Sequence, residues 1–221
     1  MDLRPQFPPG FRLLLASQSP RRHSILRDIG VPFIVVGTKG EEVIVGGSPC
    51  AIAEANALAK LRGAVLPEDA QEGAFVLATD TIVTVGNRVL GKASSEDEAA
   101  SMLALLSGRT HQVVSGVALA RTGGRAAPSS GAPPQPPFPQ ARVASALTEV
   151  IFVPLQNADI DAYIASGEWK GKAGAYAIQG LAGLYSSGIR GEYSNVVGLP
   201  LGLVARMFRE FGFDLVRRTW V

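Results

Sequence analysis

The sequence predicts an α/β fold, and three features indicate it. Short apolar runs that suit buried strands alternate with segments of helical periodicity. Several of the helical segments start at a Ser or a Ser-Pro pair and stop at a Gly, as capped helices do. The 221 residues are 47% hydrophobic, which is enough to build one core. We therefore expect a single domain over residues 1–221, with two lobes around a cleft.

The N-terminal half predicts two units of a strand followed by a helix. A proline-containing tail, residues 1–10, precedes them. Each helix begins at a Ser that can cap it and a Pro that fits its first turn. The predicted elements are a strand at 13–16, a helix from Pro20 that ends at Gly30, a strand at 33–36, and a helix from Ser48 to about Arg62.

The rest of the chain predicts further strands and helices. A buried run at 75–78 leads into Thr79-Asp80-Thr81, and a hairpin turns at Gly86-Asn87. Ser95 is a natural cap for the next helix. The remaining predicted elements are strands at 82–85, 88–90, 111–120 and 143–153, and helices at 96–106, 157–166 and 198–211.

Residues 121–142 interrupt this pattern. They are rich in Gly and Pro, and the run 133–139 cannot sustain a strand ladder. Because strands are predicted on both sides, we expect a flexible insertion at the tip of a long hairpin. A proline-rich docking motif is the alternative interpretation.

The loop after the first strand is the first candidate site. Ser17 and Ser19 supply hydroxyls, Arg21 and Arg22 supply guanidinium groups, and the following helix offers unpaired amides. This combination suits a phosphate group. The simpler alternative is an ordinary helix cap beside two solvated arginines.

Asp80 is the second candidate, because it ends an apolar run. A carboxylate there loses hydration unless it is paired, hydrogen-bonded or bound to a metal. Ligands of open α/β sheets gather at the carboxyl ends of strands, where we expect both Asp80 and the Ser17 loop. Asp80 therefore predicts a metal ligand or a general base, with a turn cap as the simpler alternative.

Three more charged residues could complete a site for polyphosphate hydrolysis. Glu42 could bind a divalent cation, while Lys60 and Lys92 could neutralise phosphate charge. Taken singly, each is more often a solvated surface charge.

Composition excludes several classes of function. A formal charge of +2 is too balanced for a long-range duplex nucleic-acid trap, and no apolar run is long enough to span a membrane. Two histidines make a histidine-rich zinc site implausible. A single cysteine fits a reducing compartment, so we expect a cytoplasmic protein.

Five segments of the chain, in order, resemble signatures of the Maf family of nucleotide pyrophosphatases. They are Leu14 to Arg22 (LLASQSPRR), Ala78 to Val83 (ATDTIV), Leu105 to His111 (LLSGRTH), Lys172 to Gly180 (KAGAYAIQG) and Asn195 to Leu201 (NVVGLPL). The resemblance implies an elongated Maf/ITPase-like α/β fold. It also implies a mixed, twisted sheet, a cleft between two lobes, and a homodimer.

The resemblance also implies roles for the candidate residues. Asp80 matches the proposed catalytic base, Lys60 and Lys92 match lysines of the cleft, and Glu42 matches an acidic metal-site residue, although Glu41 is adjacent. Ser17, Ser19 and Arg22 match the phosphate-binding loop. We hypothesise that Glu42, Asp80 and phosphate oxygens hold Mg or Mn, and that Asp80 accepts the proton of the attacking water.

Substrate choice can be read partly from Arg21, Thr81 and Gln179. These residues resemble the branch that acts on dTTP and UTP, whereas the branch acting on 7-methyl-GTP typically has Trp, Gln and Glu there. A neutral amide can satisfy both the donor and the acceptor edge of uracil or thymine. We expect a dTTP and UTP pyrophosphatase, with modified pyrimidine nucleotides as further candidates. The alternatives are a 7-methyl-GTP pyrophosphatase and a nucleotide-binding regulator of cell division without turnover.

Overall fold

A computed structural model describes residues 5–40, 46–68, 70, 72–123, 138 and 140–221. Strands and helices alternate within these residues, so the predicted α/β class is confirmed. The strands are β1 (Leu13–Leu15), β2 (Ile34–Val35), β3 (Phe75–Val85), β4 (Arg88–Leu90), β5 (Thr110–Arg121), β6 (Arg142–Phe152), β7 (Ser186–Arg190), β8 (Phe213–Asp214) and β9 (Thr219–Trp220). The helices are α1 (Pro20–Asp28), α2 (Pro49–Arg62), α3 (Glu96–Leu106), α4 (Asn157–Ser166), α5 (Tyr193–Val197) and α6 (Leu201–Glu210).

The central sheet is mixed, as the resemblance implied. Its order in the described chain is β2-β1-β3-β5-β6-β7, with β4 also beside β3. β1 runs parallel to β2 and β3, whereas β3, β5, β6 and β7 pair antiparallel in that order. The long strands β3, β5 and β6 therefore carry the shorter elements at the sheet edges.

One edge of β3 is open in its middle. β5 pairs with β3 from Phe75 to Thr84 along one edge. On the other edge, β1 pairs with residues 75–77 and β4 pairs with residues 83–85. Neither of these two strands pairs with residues 78–82, so a gap separates β1 from β4.

A separate apolar core lies on each side of this gap. Around β1, α1 and α6, the core is built on aromatic residues such as Phe75, Phe208 and Phe213. Around β4, α3 and α4, it includes Leu103 and Tyr163. These two cores form the two lobes, and the gap along β3 becomes the cleft between them.

The placement of Asp80 differs from the prediction. The sequence predicts Asp80 at the end of a strand, but β3 continues through it to Val85. Its backbone is paired with Gly116 of β5, so the strand does not need to stop there. The burial of its carboxylate is tolerated because polar partners on α2 reach it.

The predicted insertion falls mostly outside the described residues, which omit 124–137 and 139. The flanking strands β5 and β6 pair antiparallel, beginning at Leu119 and Arg142. Phe138 is buried in a core cluster that includes Leu61 and Val76. No helix in the described part of the chain is long and apolar enough to cross a membrane.

Candidate active site

A cavity of about 390 Å³ lies at the gap along β3. Besides Thr38, Lys92 and Val113, the described walls come from three parts of the chain. These are the loop from β1 into α1, the middle of β3 with the facing side of α2, and a wall made by residues 171–179 and 196–198. Two of these parts contain the motifs around Ser17 and Asp80, which are distant in sequence.

Nine of the residues predicted for the site line this one cavity. They are Ser17, Ser19, Arg21, Arg22, Lys60, Asp80, Thr81, Lys92 and Gln179. Glu42, predicted as a metal ligand, and its neighbour Glu41 lie outside the described residues.

Asp80 is held by two side chains of α2. The Nζ of Lys60 donates to its Oδ1 at 2.6 Å, and the Nδ2 of Asn56 donates to its Oδ2 at 3.0 Å. The side chain of Asp80 is only 6% exposed. The carboxylate is therefore fixed in orientation at the wall of the cavity.

Gly116 explains why α2 lies so close to Asp80. It is the cross-strand partner of Asp80 on β5. A Cβ at Gly116 would lie 2.0 Å from the carbonyl oxygen of Ala53 in α2. Only a glycine permits this approach, which brings Asn56 and Lys60 over the carboxylate.

Arg22 is fixed by three hydrogen bonds to three different segments. Its Nε donates to the carbonyl of Gly198 at 2.8 Å, its Nη1 to Ser17 Oγ at 2.8 Å, and its Nη2 to Thr81 Oγ1 at 3.2 Å. Ser17 Oγ also accepts the amide of Ser19 at 3.3 Å. Ser19 is at the N-cap of α1 as predicted, but its side chain makes no capping hydrogen bond.

Arg21 and Lys172 form a second cationic region of the cavity. The Nε of Arg21 donates to the carbonyl of Val197 at 3.4 Å. Burial lowers the pKa of Arg21, and a smaller effect of Tyr163 opposes this. Burial also lowers the pKa of Lys172, and the nearby charge of Arg21 lowers it further. Both cations would gain from an anion that compensates their lost hydration.

The described lining of the cavity carries a large excess of positive charge. It includes five cationic side chains, those of Arg21, Arg22, Lys60, Lys92 and Lys172, and one carboxylate, that of Asp80. Such a concave, cationic surface around one carboxylate suits a ligand with several negative charges.

Sequence reasoning missed Asn56, Lys172 and Ser115 as site residues. Asn56 has no local signal, because an Asn within a helical pattern usually faces solvent. Lys172 opens one of the five quoted segments, so that segment could have pointed to it. Ser115 is not in the described lining, but it bonds to Thr81, which is, at 2.8 Å.

The described residues contain no cluster of three or more His, Cys, Asp or Glu side chains that could hold a metal ion. Asp80 is the one acidic residue in the described lining of the cavity. Among the described residues of the lining, Asp80 is therefore the one carboxylate that could bind a metal ion.

Known proteins resemble this chain over most of its length. The dTTP/UTP pyrophosphatase of Symbiobacterium thermophilum is 42% identical, over 92% of this chain and 96% of that protein. The protein of the same name from Rhodopseudomonas palustris is 43% identical, over 95% and 96%. That from Moorella thermoacetica is 42% identical, over 94% and 99%.

Among solved structures, the Ham1 protein of Staphylococcus aureus has 16% identity and a TM-score of 0.46, covering 90% of this chain and 99% of that chain. This likeness is too weak to bear on the fold. The family model described as Maf-like protein matches residues 12–211, which include the described lining of the cavity and most of both lobes. The chain therefore belongs to the Maf family.

Proposed function

We propose that this protein hydrolyses UTP and dTTP to the nucleoside monophosphate and pyrophosphate. The observation that carries the proposal is the cavity whose described lining combines five cationic side chains with the buried carboxylate of Asp80. A nucleoside triphosphate brings the negative charge that this surface lacks. The relatives named dTTP/UTP pyrophosphatase, 42% to 43% identical over more than nine tenths of the chain, support the same activity.

In the proposed reaction, a water oxygen attacks the α-phosphorus and the bond from that phosphorus to the β-phosphate oxygen breaks. Asp80 takes the proton of the water, which suits a carboxylate held rigidly by Asn56 and Lys60. Pyrophosphate leaves with the electron pair. Arg22, Lys60 and Lys92 stabilise the charge that builds on the phosphate oxygens.

The donor set at Asp80 fits a divalent cation such as Mg or Mn. Mg²⁺ in polyphosphate sites is usually held by one or two carboxylates together with substrate phosphates. Asn56 and Lys60 occupy one position on each oxygen of Asp80, and a carboxylate offers roughly four. Asp80 and Glu42 would hold the ion. When bound, it would neutralise phosphate charge and make the phosphorus more electrophilic.

Gln179 supports a pyrimidine base over a guanine. It lines the cavity in the same wall as Lys172. Its amide offers both a donor and an acceptor, which match one edge of uracil or thymine.

The homodimer that the resemblance implies stays a prediction. The cytoplasmic location that the composition suggests also stays a prediction.

The proposal is tested by following pyrophosphate release from UTP, dTTP and 7-methyl-GTP in the presence of Mg or Mn. We expect release from UTP and dTTP, and Asp80→Asn should lower kcat by at least about 100-fold because the base is lost. Circular dichroism and nucleotide binding should show that this variant is folded and still binds.

Three other outcomes would contradict the proposal or part of it. Binding of nucleotides without any release by the wild-type protein would favour a regulator. Preference for 7-methyl-GTP would reject the pyrimidine assignment. Full activity of Asp80→Asn would reject the role of Asp80 as the base.

A further inference from the structure

Behind the phosphate-binding loop, a chain of hydrogen bonds runs from Arg22 across two strands to α5. The Nη2 of Arg22 lies 3.2 Å from Thr81 Oγ1, which lies 2.8 Å from Ser115 Oγ. Ser115 Oγ lies 3.4 Å from the carbonyl oxygen of Asn195. We call these four residues the hydroxyl chain.

The chemistry of its two ends fixes the direction of the hydroxyl chain. A guanidinium can only donate hydrogen bonds, and a carbonyl oxygen can only accept them. Thr81 must therefore accept from Arg22 and donate to Ser115, and Ser115 must donate to Asn195. Each hydroxyl group donates one hydrogen bond. All bonds of the hydroxyl chain point away from Arg22, and this direction stabilises its positive charge.

The end of the hydroxyl chain at Asn195 is anchored in the sheet. Asn195 is fully buried. Its Nδ2 donates to the carbonyls of Val113 at 3.0 Å and Ala146 at 3.2 Å, and to Thr148 Oγ1 at 3.0 Å. These bonds fasten the middle of α5 to β5 and β6, so the carbonyl of Asn195 cannot easily move.

The same anchor holds Arg22 from a second side. Asn195 lies in α5, which ends at Gly198 in a left-handed conformation with a φ of 119°. The carbonyl of Gly198 accepts from Arg22 Nε at 2.8 Å. The guanidinium of Arg22 is therefore held from α5 in two ways, through the hydroxyl chain and by the carbonyl of Gly198, and together these contacts set its plane.

The geometry points to Ser115 and Thr81 as positioning residues for Arg22. On β3, Thr81 faces the side of α1 and α5, whereas Asp80 faces α2. Its hydroxyl is already engaged by Arg22 and Ser115. This inference rests on the proposed function and deepens it. It assigns to Thr81 the orientation of Arg22, a phosphate-binding group, in place of the selection of the base that the resemblance implied.

A base-free ligand separates the two roles of Thr81. Inorganic triphosphate has no base, so its affinity reports only on the phosphate-binding groups. We expect Thr81→Val to weaken triphosphate binding about tenfold, because it removes a hydrogen bond to the charged Arg22. Ser115→Ala should weaken it about threefold, because it removes only the support of Thr81. Thr81→Ser keeps the hydroxyl and should bind about as the wild type does.

Turnover supplies a readout that a purely structural role would not give. Thr81→Val and Ser115→Ala should lower kcat/KM for UTP, dTTP and 7-methyl-GTP by the same factor, so that the preference among bases is unchanged. Adding Ser115→Ala to Thr81→Val should cost little more, since both interrupt one chain. Thermal unfolding should show that Ser115→Ala is folded even if Thr81→Val is not.

Three results would overturn the inference. One is undiminished triphosphate binding by Ser115→Ala and Thr81→Val. Another is a changed preference between pyrimidine and purine in Thr81→Val, which would return Thr81 to the base. The third is no binding of triphosphate by the wild type. Triphosphate binding without nucleotide hydrolysis would reject only the proposed function. The effects of the variants on triphosphate binding would still decide whether the hydroxyl chain positions Arg22.

Discussion

At the scale of single residues, adjacent positions on β3 serve opposite faces of the sheet. Asp80 meets Asn56 and Lys60 of α2, while Thr81 meets Arg22 and Ser115. Because the edge of β3 is open here, both side chains reach one cavity. A short stretch of strand thus carries both the proposed base, Asp80, and Thr81, which we propose orients Arg22.

Asn56 should affect the chemical step more than substrate binding. Asn56→Leu is close in size but cannot donate to Asp80, so the carboxylate should lose its fixed orientation. We expect kcat to fall about tenfold, as for a lost hydrogen bond to a charged group, with KM nearly unchanged. Steady-state kinetics with UTP measures both parameters.

The control for Asn56 is Arg62→Ala, an exposed position at the end of the same helix. It should leave kcat as in the wild type. An unchanged kcat in a folded Asn56→Leu protein would show that Lys60 is enough to orient Asp80.

These residues differ in how visible they are in the sequence. Ser17, Arg22 and Asp80 stand out because a local pattern, a strand end or a charge within an apolar run, marks them. Asn56 and Ser115 have no such mark, because each acquires its role only when another element packs against it. Local pattern therefore predicts the residues that line the cavity better than the residues that hold them in place.

At the scale of elements, α2 supports the carboxylate of Asp80, the proposed base, through Asn56 and Lys60. Its ends were predicted closely because Ser48 caps it, its side chain accepting the Ala51 amide, and Gly63 follows it. Its position over β5 was not predicted, since that depends on Gly116. Short elements such as β7 and α5 were also missed, because they are held by tertiary contacts such as those of Asn195.

Gly116→Ala should damage both stability and activity. Its Cβ would lie 2.0 Å from the Ala53 carbonyl oxygen and 2.2 Å from the Ala53 carbonyl carbon, so α2 would have to move. We expect the free energy of unfolding to fall by about 1 to 3 kcal/mol, as for overpacking of a core. kcat should fall as well, because Asn56 and Lys60 move with α2. Urea denaturation and UTP turnover measure the two effects.

Gly123→Ala is the matched control, because a Cβ there meets nothing within 4 Å. It should change neither property. If Gly116→Ala were as stable and as active as Gly123→Ala, the close approach of α2 would not be needed to hold Asp80.

At the scale of the whole molecule, the cleft exists because β1 and β4 occupy different parts of one edge of β3. Two lobes could be expected from the sequence, but their boundary depends on strand register, which hydrophobic pattern does not fix. The lobe around α3 and α4 reaches the cavity through Tyr176, which lines it. Behind Tyr176 lies His111, whose Nε2 is 2.8 Å from the phenol oxygen.

His111 should make the stability of the protein depend on pH. It is 1% exposed, and burial lowers its pKa from 6.5 to about 4, against a smaller opposite effect of the Arg109 backbone. The unfolded chain therefore binds a proton at His111 at a higher pH than the folded protein does. The stabilisation is complete above pH 6.5 and is lost as the pH falls towards 4. Between pH 7 and pH 4.5 the free energy of unfolding should fall by about 2 to 3 kcal/mol.

Urea denaturation of the wild type and of His111→Gln across this range measures that loss. We expect the variant to be less stable at pH 7, because glutamine cannot reproduce the ring contacts of His111 with Phe152 and Tyr176. It has no group to protonate at this position. Carboxylates titrate in both proteins, so the difference between the two slopes isolates His111. Parallel slopes would mean that His111 is protonated as readily in the folded protein as in the unfolded chain, and that water reaches this part of the core.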